Sequence, residues 1–179
     1  MGPPGAGKGT QGELLANRLG IPRYSTGDIL RQALRDRTPM GLEAKRNMHA
    51  GELVHDEVIL GIIGEVLAHE ESEAGFLLDG FPRTVAQAVG LRKLLLERGL
   101  RLDAIVDLSV PDDEIMRRLS TRGRKDDLQE TIRRRLEVYE ARKKPLLDWY
   151  ENSGVRVMSV QGVGDIDHIQ ADILEQLAL

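Results

Sequence analysis

Residues 2–10 read Gly-Pro-Pro-Gly-Ala-Gly-Lys-Gly-Thr and decide the fold of this 179-residue chain. Gly2, Gly5, Gly7 and Lys8 fit the spacing G-x-x-x-x-G-K of a phosphate-binding loop. Glycines let the backbone curl so that successive N–H groups point at an anion, at the positive end of the next helix. Lys8 adds a mobile charge for the outer phosphates. The alternative interpretation is a glycine-rich turn before an ordinary helix.

The loop departs from its usual form in two ways. The residue after the lysine, where Ser or Thr usually holds Mg²⁺, is Gly9, and Thr10 comes one later. A phosphate-binding loop also follows a buried strand of about five residues, whereas here only Met1 precedes it. We therefore expect the first strand of the sheet to be missing. Each lost apolar side chain is worth roughly 1.5–3 kcal/mol, so a chain that truly starts at Met1 should be poorly stable.

The composition is that of a soluble globular domain, with 41% hydrophobic and 30% charged residues. A net charge of −4 argues against non-specific binding to nucleic acid or to a membrane surface. The absence of cysteine excludes disulfides and thiolate metal sites. Neither a signal peptide nor an apolar run approaching the ~18 residues of a membrane span is present. The expected location is the cytoplasm.

Helical and strand patterns alternate along the chain, which predicts an α/β fold with a parallel sheet and helices on both faces. Strands are expected at 23–24, 75–78, 104–110 and 155–160, and the run at 75–78 is apolar enough to be buried on both faces. Pro39 and Gly41 should break the second helix, Asp56 should cap the fourth, and Pro145 should kink or end the long one. The remaining helices are predicted at 11–19, up to 50, 84–99, 111–121, 129–152 and 166–177.

Charged residues mark three candidate groups. Asp79 ends an apolar strand, where it could orient Mg²⁺ or its waters or could simply form the Asp-Gly turn. The second group is rich in arginine and could neutralise a transferring phosphoryl group, although a solvated helix face has the same pattern. This second group consists of Arg118, Arg122, Arg124 and Arg135. The third group, Arg31 with Arg83, could clamp a second phosphate together with Lys8.

Five segments occur along the chain in a familiar order: 2–11, 25–28, 51–54, 80–84 and Asp126-Asp127 with Glu130-Thr131. Together they resemble the adenylate kinases of the nucleoside monophosphate kinase family, short-lid type, over nearly the whole chain. The resemblance implies a P-loop three-layer fold and the reaction ATP + AMP ⇌ 2 ADP with Mg²⁺. It also implies a monomer of one domain, 1–179, with an AMP-binding lobe at about 25–54 and a lid at about 121–127.

The resemblance further implies two nucleotide sites. The ATP site would consist of the loop, two arginines and a late turn, namely Gly5, Ala6, Gly7, Lys8, Gly9, Thr10, Arg118, Arg122 and Gly164. In the AMP site, Thr26 and Gln87 would read the base. The other AMP-binding residues would be Arg31, Glu52, Leu53, Val54, Gly80, Arg83, Arg124 and Arg135.

Catalysis would depend on positive charge around the transferring group. The resemblance implies catalytic roles for Lys8, Arg83, Arg118, Arg124 and Arg135. Asp28 and Asp79 would orient Mg²⁺ through its waters, with no direct protein ligand, which is consistent with Gly9 lacking a hydroxyl.

The predicted lid is a truncated form of the family's short version. Only Gly123, Arg124 and Lys125 separate Arg122 from Asp126, and poor exclusion of water would permit some ATP hydrolysis. Two alternatives stay open at this point. One is a UMP/CMP kinase of the same fold, and the other is a nucleotide-binding module with impaired transfer.

Overall fold

The described residues contain four strands, which form the sheet framework. The computed structural model describes residues 1–122 and 128–179, apart from the side chains of Glu71 and Arg122. The strands are β1 (Arg23–Ser25), β2 (Leu77–Asp79), β3 (Ala104–Ser109) and β4 (Arg156–Gln161). Within the described residues they form two separate parallel pairs, β1 with β2 and β3 with β4. Arg23 lies opposite Leu77, and Ala104 lies opposite Arg156.

Eight helices, supplemented by one 3-10 turn at Glu70–Ser72, are found in the described part of the chain. They are α1 (Lys8–Leu19), α2 (Thr26–Arg35), α3 (Pro39–Ala50), α4 (Asp56–Val66), α5 (Val85–Glu97), α6 (Asp112–Arg122), α7 (Gln129–Asn152) and α8 (Ile166–Leu177). Each strand is followed by at least one helix, so the predicted α/β architecture is confirmed.

Helices cover both faces of the β3–β4 pair. Side chains of a strand alternate between faces, and Leu108 packs in a core with residues of α1, α6 and α8, whereas Ile105 packs with Leu146 and Tyr150 of α7. A further core joins α4 and α5 through Ile63 and Leu91. The parallel strands with helices on both faces were predictable from the alternating pattern alone.

Met1 lies alongside β3, ahead of the glycine-rich loop. Its amino group donates to the Val106 carbonyl, and its carbonyl accepts from the Leu108 N–H at 3.1 Å. This is the hydrogen-bond pattern of a parallel neighbour. The contact fixes where the loop begins relative to the carboxyl end of β3.

Asp107 interrupts the apolar run of β3 and is buried at 2% exposure. Two side chains of α7 satisfy it: Lys143 Nζ lies 3.0 Å from Oδ2, and the Tyr139 hydroxyl donates to Oδ1 at 3.3 Å. Burial, and then the charge of Asp107, raise the pKa of Tyr139. The Asp107 carboxylate therefore links the middle of β3 to the middle of α7.

Four expectations about individual elements are wrong. Strand β2 has only three residues, all half-buried: Leu77 and Leu78 pack against two different cores, but the strand also lines a large cavity. Gly41 lies inside α3, where a Cβ would be 2.2 Å from the Ala33 carbonyl oxygen, so it permits close approach of α2 instead of breaking a helix. Asp56 is the first residue of α4, and its carboxylate binds α5 instead of capping. Helix α7 runs through Pro145 to Asn152, so the expectation that it ends there is wrong, and the alternative of a kink stays a prediction.

Within residues 1–122 and 128–179, no helix combines the length and apolar character that crossing a bilayer requires.

The core of α5 allows a matched test of burial. Leu91 is 1% exposed and Leu96, on the same helix, is 68% exposed. We expect Leu91→Ala to lower the free energy of unfolding by about 2–5 kcal/mol, through lost burial and a residual cavity. Leu96→Ala should change it by no more than about 0.5 kcal/mol. Urea denaturation of both variants measures the difference, and equal losses would contradict the assigned packing.

Candidate active site

The glycine-rich loop ends directly in helix α1. Gly5 and Gly7 have φ of 84° and 95°, a left-handed conformation that glycine adopts without strain. Lys8 is the first helical residue, and its Nζ donates to the Gly2 and Pro3 carbonyls at 2.8 and 2.7 Å. The first N–H groups of a helix have no partners within that helix. The loop thus presents backbone donors and a lysine at the positive end of α1, an arrangement that suits phosphate.

Two of the predicted carboxylates converge on one guanidinium. Arg23 Nη1 lies 2.6 Å from Asp79 Oδ2, and its Nη2 lies 3.5 Å from Asp28 Oδ2. A Cβ on Gly9 would lie 3.9 Å from the Asp79 carboxylate, so this acid is beside the loop. Hydrogen bonds from Arg31 and Ser25 lower the pKa of Asp28, although burial opposes the shift. The two carboxylates therefore lie near each other, with Asp79 beside the loop, and both are paired with arginine.

Arg118 links helix α6 to the loop. Its Nε donates to Glu114 at 2.6 Å, Nη2 to the Gly162 carbonyl at 2.8 Å and Nη1 to the Ala6 carbonyl at 3.4 Å. A Cβ on Gly7 would lie 3.9 Å from Nη1. The guanidinium is therefore held at the mouth of the loop. Two predicted partners of Arg118 lie outside the described residues. They are the side chain of Arg122 and, in the predicted lid, Arg124.

A second group of arginines lies on the other side of the same space. Arg83 Nε donates to the Gly80 carbonyl at 2.6 Å, Arg31 Nη2 lies 2.5 Å from Asp28, and Arg135 Nη2 donates to the Met48 carbonyl at 3.3 Å. Desolvation by the surrounding protein, and then repulsion from Arg135, lower the pKa of Arg83, although water of the cavity still reaches its side chain. The predicted clamp of Arg31 and Arg83 is thus joined by Arg135.

The segment predicted to close over the monophosphate packs against α7. Glu52 pairs with Arg134 at 2.6 Å, and a Cβ on Gly51 would lie 3.3 Å from Arg135 Cγ. Val54 is buried, and the Leu53 carbonyl accepts from Asn47 at 3.0 Å. Nearby, the Thr26 hydroxyl donates to the Gly80 carbonyl at 3.1 Å. These contacts form one wall beside the second arginine group.

One cavity of about 2060 Å³ joins the two groups. Every predicted site residue whose side chain is described lines it: Gly5, Ala6, Gly7, Lys8, Gly9, Thr10, Thr26, Asp28, Arg31, Glu52, Leu53, Val54, Asp79, Gly80, Arg83, Gln87, Arg118, Arg135 and Gly164. The volume exceeds the ~300–1,000 Å³ of a typical small-ligand pocket. Its lining also includes residues outside the two groups, such as Leu78 and Val106, so only part of this volume adjoins them, and the cations there favour anionic ligands.

Sequence reasoning missed three residues that hold the site residues in place. Arg23 bridges Asp28 and Asp79, Glu114 holds Arg118, and Asp56 holds Gln87. Glu114 was detectable, because it lies four residues before Arg118 on one helix face. The other two contacts join residues 31 to 56 positions apart, which no local pattern signals.

Comparison with known proteins gives the same result as the motifs. The sequence profile of the family described as adenylate kinase matches residues 1–155. The chain belongs to the adenylate kinase family. It is similar to the adenylate kinase of Leptospira biflexa serovar Patoc, with 46% identity over 99% of this chain and 97% of that protein. It is 44% identical to the adenylate kinase of Geobacter sp. strain M21, over 97% and 95%. A third relative, the adenylate kinase of Mycolicibacterium smegmatis, is 44% identical over 99% and 96%.

The Arg118 anchor can be tested by titration. Hydrogen bonds from Arg117, and then Arg118, hold the pKa of Glu114 at about 2 against an ordinary value of 4.5. Its contribution to stability is therefore fully present above about pH 4.5 and is lost as the pH falls toward 2. NMR titration of the Glu114 carboxyl carbon should show this low value, and Arg118→Gln should raise it because it removes the hydrogen bond from Arg118. An ordinary value in the unmodified protein would contradict the contact.

Proposed function

We propose that the protein catalyses reversible phosphoryl transfer from ATP to AMP, giving two ADP. Membership of the adenylate kinase family supports this reaction. The structural observation that carries the proposal is one cavity with two phosphate-attracting groups, the loop with Lys8 and the cluster of Arg31, Arg83 and Arg135. A kinase acting on two nucleotides needs both, whereas a simple nucleotide-binding module needs only the first.

In this proposal the loop binds the ATP phosphates and the arginine cluster binds the AMP phosphate. An oxygen of the AMP phosphate attacks the γ-phosphorus of ATP, and the bond to the β–γ bridging oxygen breaks. The transferring group spreads negative charge over three oxygens, so Lys8, Arg83 and Arg118 would act by positioning and charge stabilisation. Thr10, Arg122 and Gly164 would complete the ATP side, and Arg124 would contribute to the AMP side.

The carboxylate pair of Asp28 and Asp79 fits magnesium. Both acids already contact one cation, Arg23, and hard carboxylate oxygens suit Mg²⁺ and its waters. Within the described residues no group of three or more acids or histidines could form a protein cage, which favours binding through waters and phosphates. When bound, Mg²⁺ would neutralise phosphate charge. Asp28 and Asp79 would hold its waters in place.

The base-reading residues favour AMP over UMP or CMP in this proposal. Thr26 and Gln87 both line the cavity beside the arginine cluster. Kinases for pyrimidine monophosphates resemble the same pattern and usually differ at both positions. We further expect a cytoplasmic monomer that uses ATP, AMP and ADP and binds neither nucleic acid nor membrane.

A substrate panel tests the proposed reaction. Purified protein with Mg²⁺ and ATP should form ADP rapidly with AMP and slowly with CMP or UMP in a coupled assay. Circular dichroism first establishes that the protein is folded. Folded protein that forms no ADP with AMP would overturn the proposal, and a preference for UMP or CMP would favour the pyrimidine kinase. Negligible turnover with weak binding of a two-headed ATP–AMP analogue would favour the impaired module.

Arg83 offers a sharper test of the second phosphate site. Arg83→Met should lower kcat/KM for AMP by about 10²–10³-fold, because it removes a preorganised donor to phosphate. The KM for ATP should change little. Arg92→Met, on the outer surface of α5, serves as the control and should leave both values unchanged. An equal rise of KM for ATP and AMP would contradict separate sites.

A further inference from the structure

The side-chain amide of Gln87 is held at both of its ends. Its Nε2 donates to Asp56 Oδ1 at 2.7 Å, and its Oε1 accepts from the Arg83 backbone N–H at 2.7 Å. Gln87 is only 2% exposed, yet it lines the cavity. The two contacts therefore hold the amide in one orientation at the wall of the cavity.

Asp56 is itself anchored to the same helix. The Thr84 hydroxyl donates to its Oδ2 at 3.2 Å and accepts from the Gln87 backbone N–H at 3.0 Å. A carboxylate only accepts and a backbone N–H only donates. Flipping the Gln87 amide would put acceptor against acceptor at Asp56 and donor against donor at Arg83. Both mismatches leave polar groups unpaired, which is costly where water is excluded.

The orientation of the amide matters because two classes of purine present opposite hydrogen-bonding patterns at the 6-position and N1. A 6-aminopurine offers a donor at the 6-position beside an acceptor at N1, whereas a 6-oxopurine offers an acceptor beside a donor. After its two protein contacts, Gln87 retains one lone pair on Oε1 and one hydrogen on Nε2. A bidentate pair with the first base uses the amide as it stands. The second base requires the flipped amide.

We propose that Asp56 is a specificity-determining positioning residue. By fixing the Gln87 amide, it selects 6-aminopurine over 6-oxopurine monophosphates as phosphoryl acceptors. The inference rests on the proposed function, in which Gln87 faces the base of the acceptor. The discrimination comes from penalising the wrong base as much as from binding the right one.

Asp56→Asn isolates the effect. The asparagine can accept from Gln87 Nε2 as Asp56 does, or rotate and donate to Oε1 of a flipped amide. One of the two penalties is thereby removed, and the Arg83 N–H still imposes the other. Discrimination should therefore weaken without being abolished.

The experiment compares AMP with IMP, which differ only in the hydrogen-bonding pattern at the 6-position and N1. In Asp56→Asn the ratio of kcat/KM for AMP to that for IMP should fall about tenfold, the effect of about one hydrogen bond. Glu57→Gln is the matched control, since it removes a neighbouring exposed charge from the same first turn of α4. Its ratio should equal that of the unmodified protein.

Failure of the inference is distinct from failure of the proposed function. Unmodified protein that forms no ADP from AMP overturns the reaction, whereas active Asp56→Asn with an unchanged ratio overturns only the role of Asp56. If Asp56→Asn does not fold, hydrogen exchange in the unmodified protein decides. The Gln87 side-chain amide should exchange far more slowly than that of exposed Gln129. Equally rapid exchange would overturn the fixed orientation.

Discussion

Mutual repulsion among cations in one cavity is the constraint on which the rest of the site depends. The chain has a net charge of −4, yet Lys8 and the four arginines Arg31, Arg83, Arg118 and Arg135, among other cations, line a single space. Each of these named cations is held by nearby oxygens: carbonyls for Lys8, Arg83 and Arg135, a carboxylate for Arg31, and both for Arg118. These contacts keep the charges in place, and nucleotide phosphates can then exchange with carbonyl groups that are weaker partners.

The local part of this structure was predictable and the non-local part was not. Spacing of glycine and lysine identified the loop, and the helix predicted from residue 84 matches α5, which Thr84 caps through a contact within one turn. Strand β2 was expected to be buried on both faces, but its surroundings depend on the cavity beside it. Arg23 and Asp56 were missed because their partners come from distant segments brought together only by the fold.

The predicted site residues belong to several elements that meet at one end of the parallel strands. The loop, α2, α5, α6 and α7 each contribute at least one of the predicted site residues that line the cavity. This arrangement follows from strand direction, since the carboxyl ends of parallel strands meet at the same edge. It explains why motifs far apart in the sequence could be assigned to one site, even though the distances among them could not be derived.

The ion pair between Asp107 and Lys143 limits which substitutions this sequence can accept during evolution. Removing one partner of a buried ion pair leaves an uncompensated charge and costs about 3–5 kcal/mol, whereas replacing both by well-packed apolar residues is often neutral. Loss of Lys143 would therefore consume much of a marginal stability of about 5–15 kcal/mol, because Asp107 is buried, whereas the partly exposed Lys143 could turn to water if Asp107 were lost. The residues at these two positions should therefore change together among related sequences. A relative with an acid in the middle of β3 should have a basic residue at the matching position of α7.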